Sequence, residues 1–259
     1  MIQHVIARLR QGHRTLPYPH KQPVLPDRYP GRPEIDPAAC TGCPTPGACA
    51  AACPAGAIRL DDPVSGGLSL DLGRCLFCTD CAAACPQGAI RFTGDFRMSA
   101  SRREALILRG GPFVHAEALP PERLALFKRS LKLRQVSAGG CNACELDTNV
   151  LNTLVFDLGR FGIQFVASPR HADGVLVTGP VTENMRLGLE KTWAATPEPR
   201  VAIAVGSCAI SGGPFAGHAE AHDGCGAMLP VDLLVPGCAP HPWTILDGLL
   251  RLLGRGETG

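Results

Sequence analysis

Twelve of the thirteen cysteines in this 259-residue chain fall into three groups of four. Cys40, Cys43, Cys49 and Cys53 form the first group, and Cys75, Cys78, Cys81 and Cys85 the second. Cys141 and Cys144 stand together in Gly139-Gly-Cys-Asn-Ala-Cys-Glu-Leu-Asp147, while Cys208 and Cys238 each follow an apolar run. Thiolates at such spacings are soft metal ligands. The chain has no apolar run of bilayer length, and Met1 to Arg14 has no signal-peptide core. The expected compartment is therefore the cytosol, where persistent disulfides are rare and many cysteines argue for metal ligation.

The first eight cysteines belong to an internal duplication. Cys53-Pro-Ala-Gly-Ala-Ile-Arg-Leu60 recurs as Cys85-Pro-Gln-Gly-Ala-Ile-Arg-Phe92. The offset is 35 residues for Cys40/Cys75 and Cys43/Cys78 but 32 for Cys49/Cys81 and Cys53/Cys85, so the first half carries three extra residues around Pro44-Thr-Pro-Gly47. The second half has the uninterrupted spacing of bacterial ferredoxins, in which three close cysteines cover three irons of a 4Fe–4S cubane and the fourth ligand comes from the other repeat. That rule assigns cluster A to Cys40, Cys43, Cys49 and Cys85, and cluster B to Cys75, Cys78, Cys81 and Cys53. The alternative chemistry is two tetrahedral zinc sites from the same eight thiols; the duplicated pattern ending in Cys-Pro argues against it.

The elements that must hold these groups follow from the rest of the chain. Ile2, Val5, Ile6 and Leu9 recur at helical spacing, and Leu16 to Pro33 holds six prolines that favour an extended arm lying over another surface. Residues 1–35 are thus an N-terminal arm, 36–95 the two-cluster domain with short strands at 57–60 and 89–92, and 96–130 a connector with helices expected at 99–108 and 120–127. Residues 131–259 alternate strands and helices. Strands are predicted at 131–136, 164–167, 174–178, 201–205 and 232–235. Helices are predicted from Leu146 to Gly159, on the stripe Leu146, Val150, Leu154 and Leu158, and at 183–195 and 242–253. This alternation predicts a parallel α/β sheet with helices on its faces. Loops after parallel strands gather at one edge, where ligands bind, and that edge would bring Cys141, Cys144, Cys208 and Cys238 together as a third metal centre.

Residues 18–97 resemble the two-cluster ferredoxin subunits of formate hydrogenlyase and of respiratory complex I, on Asp27-Arg-Tyr-Pro-Gly-Arg-Pro33 and Leu72-Gly-Arg-Cys-Leu-Phe-Cys78. The three-residue insertion departs from that pattern without removing a ligand. Residues 129–253 resemble the small electron-transfer subunit of group 4 nickel–iron hydrogenases and its complex I counterpart. That likeness rests on Gly140-Cys-Asn-Ala-Cys-Glu-Leu-Asp147, Val177-Thr-Gly-Pro-Val181, Gly206-Ser-Cys-Ala-Ile-Ser-Gly-Gly213 and Val235-Pro-Gly-Cys-Ala-Pro240. The resemblance implies a flavodoxin-like second domain, with one proximal 4Fe–4S cluster on Cys141, Cys144, Cys208 and Cys238, and so three clusters in all. Complex I subunits carry an adjacent Cys-Cys pair here, whereas the two-residue gap between Cys141 and Cys144 follows the hydrogenase pattern.

The resemblance further implies a natural fusion of two electron-transfer subunits, with no catalytic residue of its own. Its partners would be a catalytic large subunit holding the nickel–iron centre, other subunits of a membrane-bound complex, and a donor such as a formate dehydrogenase or a ferredoxin. The chain would sit on the cytoplasmic face of the inner membrane through those partners, with Pro214, Phe215, Pro240 and Pro242 facing the large subunit. The alternatives are a complex I-like module serving quinone, and a ferredoxin fused to a non-catalytic assembly domain.

The remaining reactive residues are weighed against this frame. Asp147 is a carboxylate that could couple proton and electron transfer or simply face solvent. Cys225 has no place in the motifs and reads as a free thiol. His171, His218, His222 and His241 read as structural, because four thiolates complete each site. The formal charge of +2 counts every thiol as neutral; three clusters at about −2 each would bring it to roughly −4. With no basic stripe carrying stacking aromatics, nucleic acid is excluded as a partner.

Overall fold

The computed structural model describes residues 2–12, 14–41, 43–64 and 67–256. Helix α1 (Ile2–Gln11) has no buried residue. The arm after it lies over the second half of the chain. Leu16 N–H donates to the Val155 carbonyl, and buried Tyr18 packs against Trp243, with ring centroids 5.1 Å apart. The Tyr18 hydroxyl donates to Asp247 at 2.7 Å, and Asp247 is fully buried beside Arg251. A buried carboxylate needs such partners, since losing one leaves its desolvation uncompensated.

The duplicated region builds small antiparallel ladders around its cysteines. The elements are β1 (Pro33–Ile35), α2 (Ala48–Ala51), β2 (Ile58–Arg59), β3 (Ser69–Asp71), α3 (Asp80–Ala83) and β4 (Ile90–Phe92). β1 pairs with β4 and β2 with β3. β5 (Ile107–Leu108) joins β3, with Leu108 opposite Leu70. The helix predicted over 99–108 does not form; only Arg103–Leu106 makes a short 3₁₀ turn. The vacant edge of β3 claims the backbone of Ile107 and Leu108, and ladder hydrogen bonds outweigh local helix preference. The 96–130 segment is woven into both halves. Leu106 is fully buried among ferredoxin-side residues, Ala100 bridges to Leu234, and Phe127 at the end of α4 (Pro121–Phe127) lies in the core of the second half.

The second half is a five-stranded parallel sheet. It comprises β6 (Leu131–Ser137), α5 (Ala143–Val150), β7 (Ile163–Phe165), β8 (Gly174–Thr178), α6 (Glu183–Ala195), β9 (Val201–Val205), α7 (Ser207–Ser211), β10 (Leu233–Val235) and α8 (Pro242–Leu252). The spatial order is β7-β6-β8-β9-β10, all parallel. Numbered within the sheet this is 2-1-3-4-5, the flavodoxin-like order. Strand parity sorts the two faces. Val175, Val177, Ala202 and Ala204 share a core with the ferredoxin half, whereas Leu176, Val201, Ile203 and Val205 pack with Trp243, Leu246 and Leu249 of α8.

The helix predicted from Leu146 to Gly159 stops at Val150. The apolar stripe that suggests it is split: Leu146 is 59% exposed and Leu154 70%, while its last member Leu158, like Leu151, is fully buried. The helix packs its other side against α8, and the chain then turns inward to bury Leu151 and Leu158.

Candidate metal centres

The two ferredoxin repeats present their cysteines in matching local geometry. α2 and α3 each follow a residue in the left-handed region, Gly47 (φ 86°) and Thr79 (φ 69°), and each carries one buried cysteine, Cys49 and Cys81. After each Cys-Pro turn a backbone amide points at the sulfur. Ala57 N–H donates to Cys53 Sγ at 3.3 Å and Ala89 N–H to Cys85 Sγ at 3.2 Å. Phe77 N–H donates to Cys75 Sγ at 3.3 Å. Hydrogen bonds to the sulfurs tune the potential of an iron–sulfur cluster bound there.

The structure places Cys85 with the first-half cysteines: Cys40, Cys43, Cys49 and Cys85 line one cavity, together with Thr45, Pro46 and Gly47 of the inserted loop. Cys53 lines a second cavity with Cys75, Cys78 and Cys81. Within each set the thiols feel one another. Burial, then the neighbouring sulfurs, push Cys40 up, and burial with Cys81, Cys53 and Cys78 raises Cys75 to about 12. Burial first and Cys53 next raise Cys81 to about 11. Ligation requires each of these thiols to give up its proton to the metal.

The third set lies at the C-terminal edge of the parallel sheet. Cys141 and Cys144 follow β6, Cys208 lies in the first turn of α7 after β9, and Cys238 follows β10. Burial, then the charges of Cys208, Glu145, Cys238 and Cys141, hold Cys144 far above the ordinary thiol range. Burial followed by Cys238 and Cys141 raises Cys208 to about 11. Cys141 and Cys238 are exposed, whereas Cys208 is buried, so the site opens outward on one side. Two glycines make room for the sulfurs. A Cβ on Gly206 (φ 90°) would stand 2.5 Å from Cys144 Sγ, and one on Gly213 (φ 54°) would stand 2.9 Å from Cys208 Sγ. Any side chain there would collide with a ligand sulfur as well as strain the backbone.

Each of the two ferredoxin sets rings a cavity with four soft sulfurs, the donor set that an iron–sulfur core takes. Among the described residues no three His, Cys, Asp or Glu side chains are close enough to hold one metal ion, although all twelve motif cysteines are described.

Residues 141–252 match the family of the NADH ubiquinone oxidoreductase 20 Kd subunit, and residues 39–89 match a 4Fe-4S dicluster domain. Over 127 residues the chain is 38% identical to a probable membrane-bound hydrogenase subunit of Pyrococcus furiosus, covering 49% of this chain and 76% of that one. The chain belongs to the 20 Kd subunit family. It is also 41% identical over 134 residues to formate hydrogenlyase subunit 7 of Escherichia coli, a match that spans 52% of each chain. With an NADH-quinone oxidoreductase subunit of Heliobacterium modesticaldum it shares 39% identity over 119 residues, 46% of this chain and 68% of the relative. Fused to a dicluster domain, this family member is an iron–sulfur protein of mixed α/β fold.

Among the acids near the third site, sequence reasoning singles out Asp147, but the carboxylate that acts on Cys144 and Cys208 is Glu145. Asp147 lies farther along α5, half-buried, and only desolvation raises its pKa. Glu145 is 6% exposed and accepts from Ser137 Oγ at 2.6 Å and Thr178 Oγ1 at 2.5 Å. Its position directly after Cys144 was the available signal. The histidines have structural partners: His241 Nδ1 accepts from Trp243 N–H to cap α8, His222 Nε2 lies 2.6 Å from Glu183, and His218 Nδ1 accepts from Glu220 N–H. His171 closes a short 3₁₀ turn. Cys225 is fully buried, and burial raises it to about 12. Pro214 and Phe215 are exposed beside the third site, but Pro240 and Pro242 are already buried within the chain. Both belong to the tight turn into α8, whose first residue is Pro242, so they leave no surface for a partner.

Proposed function

We propose that the chain is an electron-transfer subunit of a hydrogenase-type complex in which twelve cysteines hold three 4Fe–4S clusters. The observation that carries this reading is the gathering of twelve cysteines into three quartets, two lining separate cavities and one at the edge of the parallel sheet. Each cluster, when bound, takes up and gives back one electron. The chain's own residues do the rest. Cys40, Cys43, Cys49 and Cys85 hold the outer site, Cys53, Cys75, Cys78 and Cys81 the middle one, and Cys141, Cys144, Cys208 and Cys238 the proximal one. Amides on Cys53, Cys75 and Cys85 and the carboxylate of Glu145 set the local field. Cys208 is buried on the inner side of the proximal site.

The partner is a catalytic large subunit, docked where Cys141 and Cys238 reach the surface. Leu146 and Val150, outward on the helix that carries Cys144, and exposed Leu154 just beyond it are the apolar part of that contact. Among the described residues no helix is long and apolar enough to cross a membrane, so attachment to a membrane falls to other subunits. The donor is a formate dehydrogenase or a ferredoxin. The two-residue gap between Cys141 and Cys144 favours the hydrogenase reading over a quinone-linked one.

The test is reconstitution of the complex with Cys238→Ser. Electron delivery to the large subunit should fall steeply while the two ferredoxin sites remain reducible. Hydrogen production or uptake at the parent rate would rule out the third site as the exit.

A further inference from the structure

Three cysteine-bearing loops meet at one hydroxyl. Ser207 is 1% exposed and sits at the start of α7, directly before Cys208. Its Oγ donates to the Cys75 carbonyl at 2.8 Å, and the Gly237 carbonyl, next to Cys238, stands 3.2 Å away. The hydroxyl has one proton, so the shorter contact to Cys75 is its hydrogen bond. The Ser207 N–H independently donates to Gly237 at 2.9 Å.

The Cys75 loop is braced against α7 from several sides. Ser211, one turn further along, donates Oγ to the Gly73 carbonyl at 2.7 Å. Asp71 accepts from Gly73 N–H at 2.9 Å and is clamped by both terminal nitrogens of Arg103 at 2.7 and 2.5 Å. A Cβ on Gly73 would stand 2.8 Å from Ile210. Bidentate arginine–carboxylate pairs fix geometry as well as adding energy, so the approach of the two loops is rigid.

We infer that Ser207 is the positioning residue for electron passage between the Cys53, Cys75, Cys78, Cys81 site and the Cys141, Cys144, Cys208, Cys238 site. The inference rests on the proposed binding of a cluster by each quartet. Tunnelling decays exponentially with the gap, and more slowly through bonds and hydrogen bonds than through open space. From Cys75 the bonded route runs through its carbonyl, across the hydrogen bond to Ser207 Oγ, and along the backbone to Cys208. The Ser211 contact ends two residues short of Cys75 and three beyond Cys208, which makes its route longer. One electron leaves the reduced middle site and enters the oxidised proximal site, with no bond made or broken and no proton moved.

The test compares Ser207→Ala with Ser211→Ala in the full cluster-loaded chain. Each variant removes one hydroxyl from the same interface. Iron content and the separate reduced-state paramagnetic resonance signals come first; if the parent lacks three signals, the three-cluster reading fails, independently of Ser207. With three signals present, the readouts are the rate of electron equilibration after rapid photoreduction and the spin coupling between the middle and proximal sites. Ser207→Ala should slow equilibration severalfold at full iron content, with Ser211→Ala near the parent rate and coupling. Equal slowing in both variants, or a parent rate in Ser207→Ala, overturns the inference. If Ser207→Ala loses iron, Ser207→Cys, whose thiol is a weaker donor of similar shape, should show the slowing, and a parent rate there overturns it equally.

Discussion

Thr178 Oγ1 donates to the Glu145 carboxylate at 2.5 Å, joining the end of the third sheet strand to the helix that carries Cys144. Ser137, at the end of β6, donates to the same oxygen at 2.6 Å. These two strands flank the point where the sheet order reverses, and the buried carboxylate is fastened there beside the proximal thiols. Glu145→Gln keeps the shape and removes the charge. A lost negative charge favours the more negative, reduced state, so the proximal potential should rise while the other two stay unchanged. Potentiometric titration followed by paramagnetic resonance measures this, and an unmoved proximal potential would contradict it. Glu145→Ala should in addition cost about 1–3 kcal/mol, the penalty for leaving a buried hydrogen-bonding group without its partner.

Anaerobically purified chain should contain about twelve irons, four per cubane. Cys238→Ser should remove about four of them. Iron near eight with zinc making up the difference would count against the third cluster.

Cys53 and Cys85 should have crossed effects, because each lies with the three cysteines of the other repeat. Cys53→Ser should alter the site of Cys75, Cys78 and Cys81, and Cys85→Ser the site of Cys40, Cys43 and Cys49. Paramagnetic resonance of the two variants distinguishes them; a loss of the same signal in both would refute the crossing.

Cys225 should contribute to stability and not to iron binding. Cys225→Ala should leave iron content unchanged and cost about 1 kcal/mol, the order for deleting one buried methylene-sized group. Burial raises this thiol to about 12, against roughly 8.5 in an unfolded chain. A raised acid pKa favours the neutral form in the fold, so its stabilisation is complete below the unfolded value and is lost as pH rises toward the folded one. The stability advantage of the parent over Cys225→Ala should therefore shrink between pH 8 and pH 10, as read from urea midpoints.

Leu154→Asp tests the outward stripe. At 70% exposure the residue supports little of the fold, and a surface change of this kind should alter stability by no more than about 0.5 kcal/mol. Association with the large subunit should weaken by roughly tenfold or more, the order for losing an interface anchor. Unchanged co-purification would move the docking face elsewhere.

The amino-acid sequence alone determined which cysteines stand close together in the chain, because residue type and local spacing are covalent properties that packing does not change. The Cys-Pro repeat is a local pattern of the same kind, and Gly174-Val-Leu-Val-Thr178 and Val201-Ala-Ile-Ala-Val205 are apolar enough to be read as buried parallel strands from the sequence. Tertiary structure decided which side of each element does the work. Periodicity marks an apolar stripe at Leu146, Val150, Leu154 and Leu158, but the seating of α5 against α8 leaves Leu146 outward and the turn after Val150 buries Leu158. Glu145 and Asp147 stand two residues apart, about 200° around a helix, so the docking of that helix on β6 and β8 chose the acid beside the thiols. The hydrogen bond from Ser207 to Cys75 joins positions 132 residues apart. No local pattern encodes it, because it exists only once α7 and the Cys75 loop are pressed together by the rest of the fold.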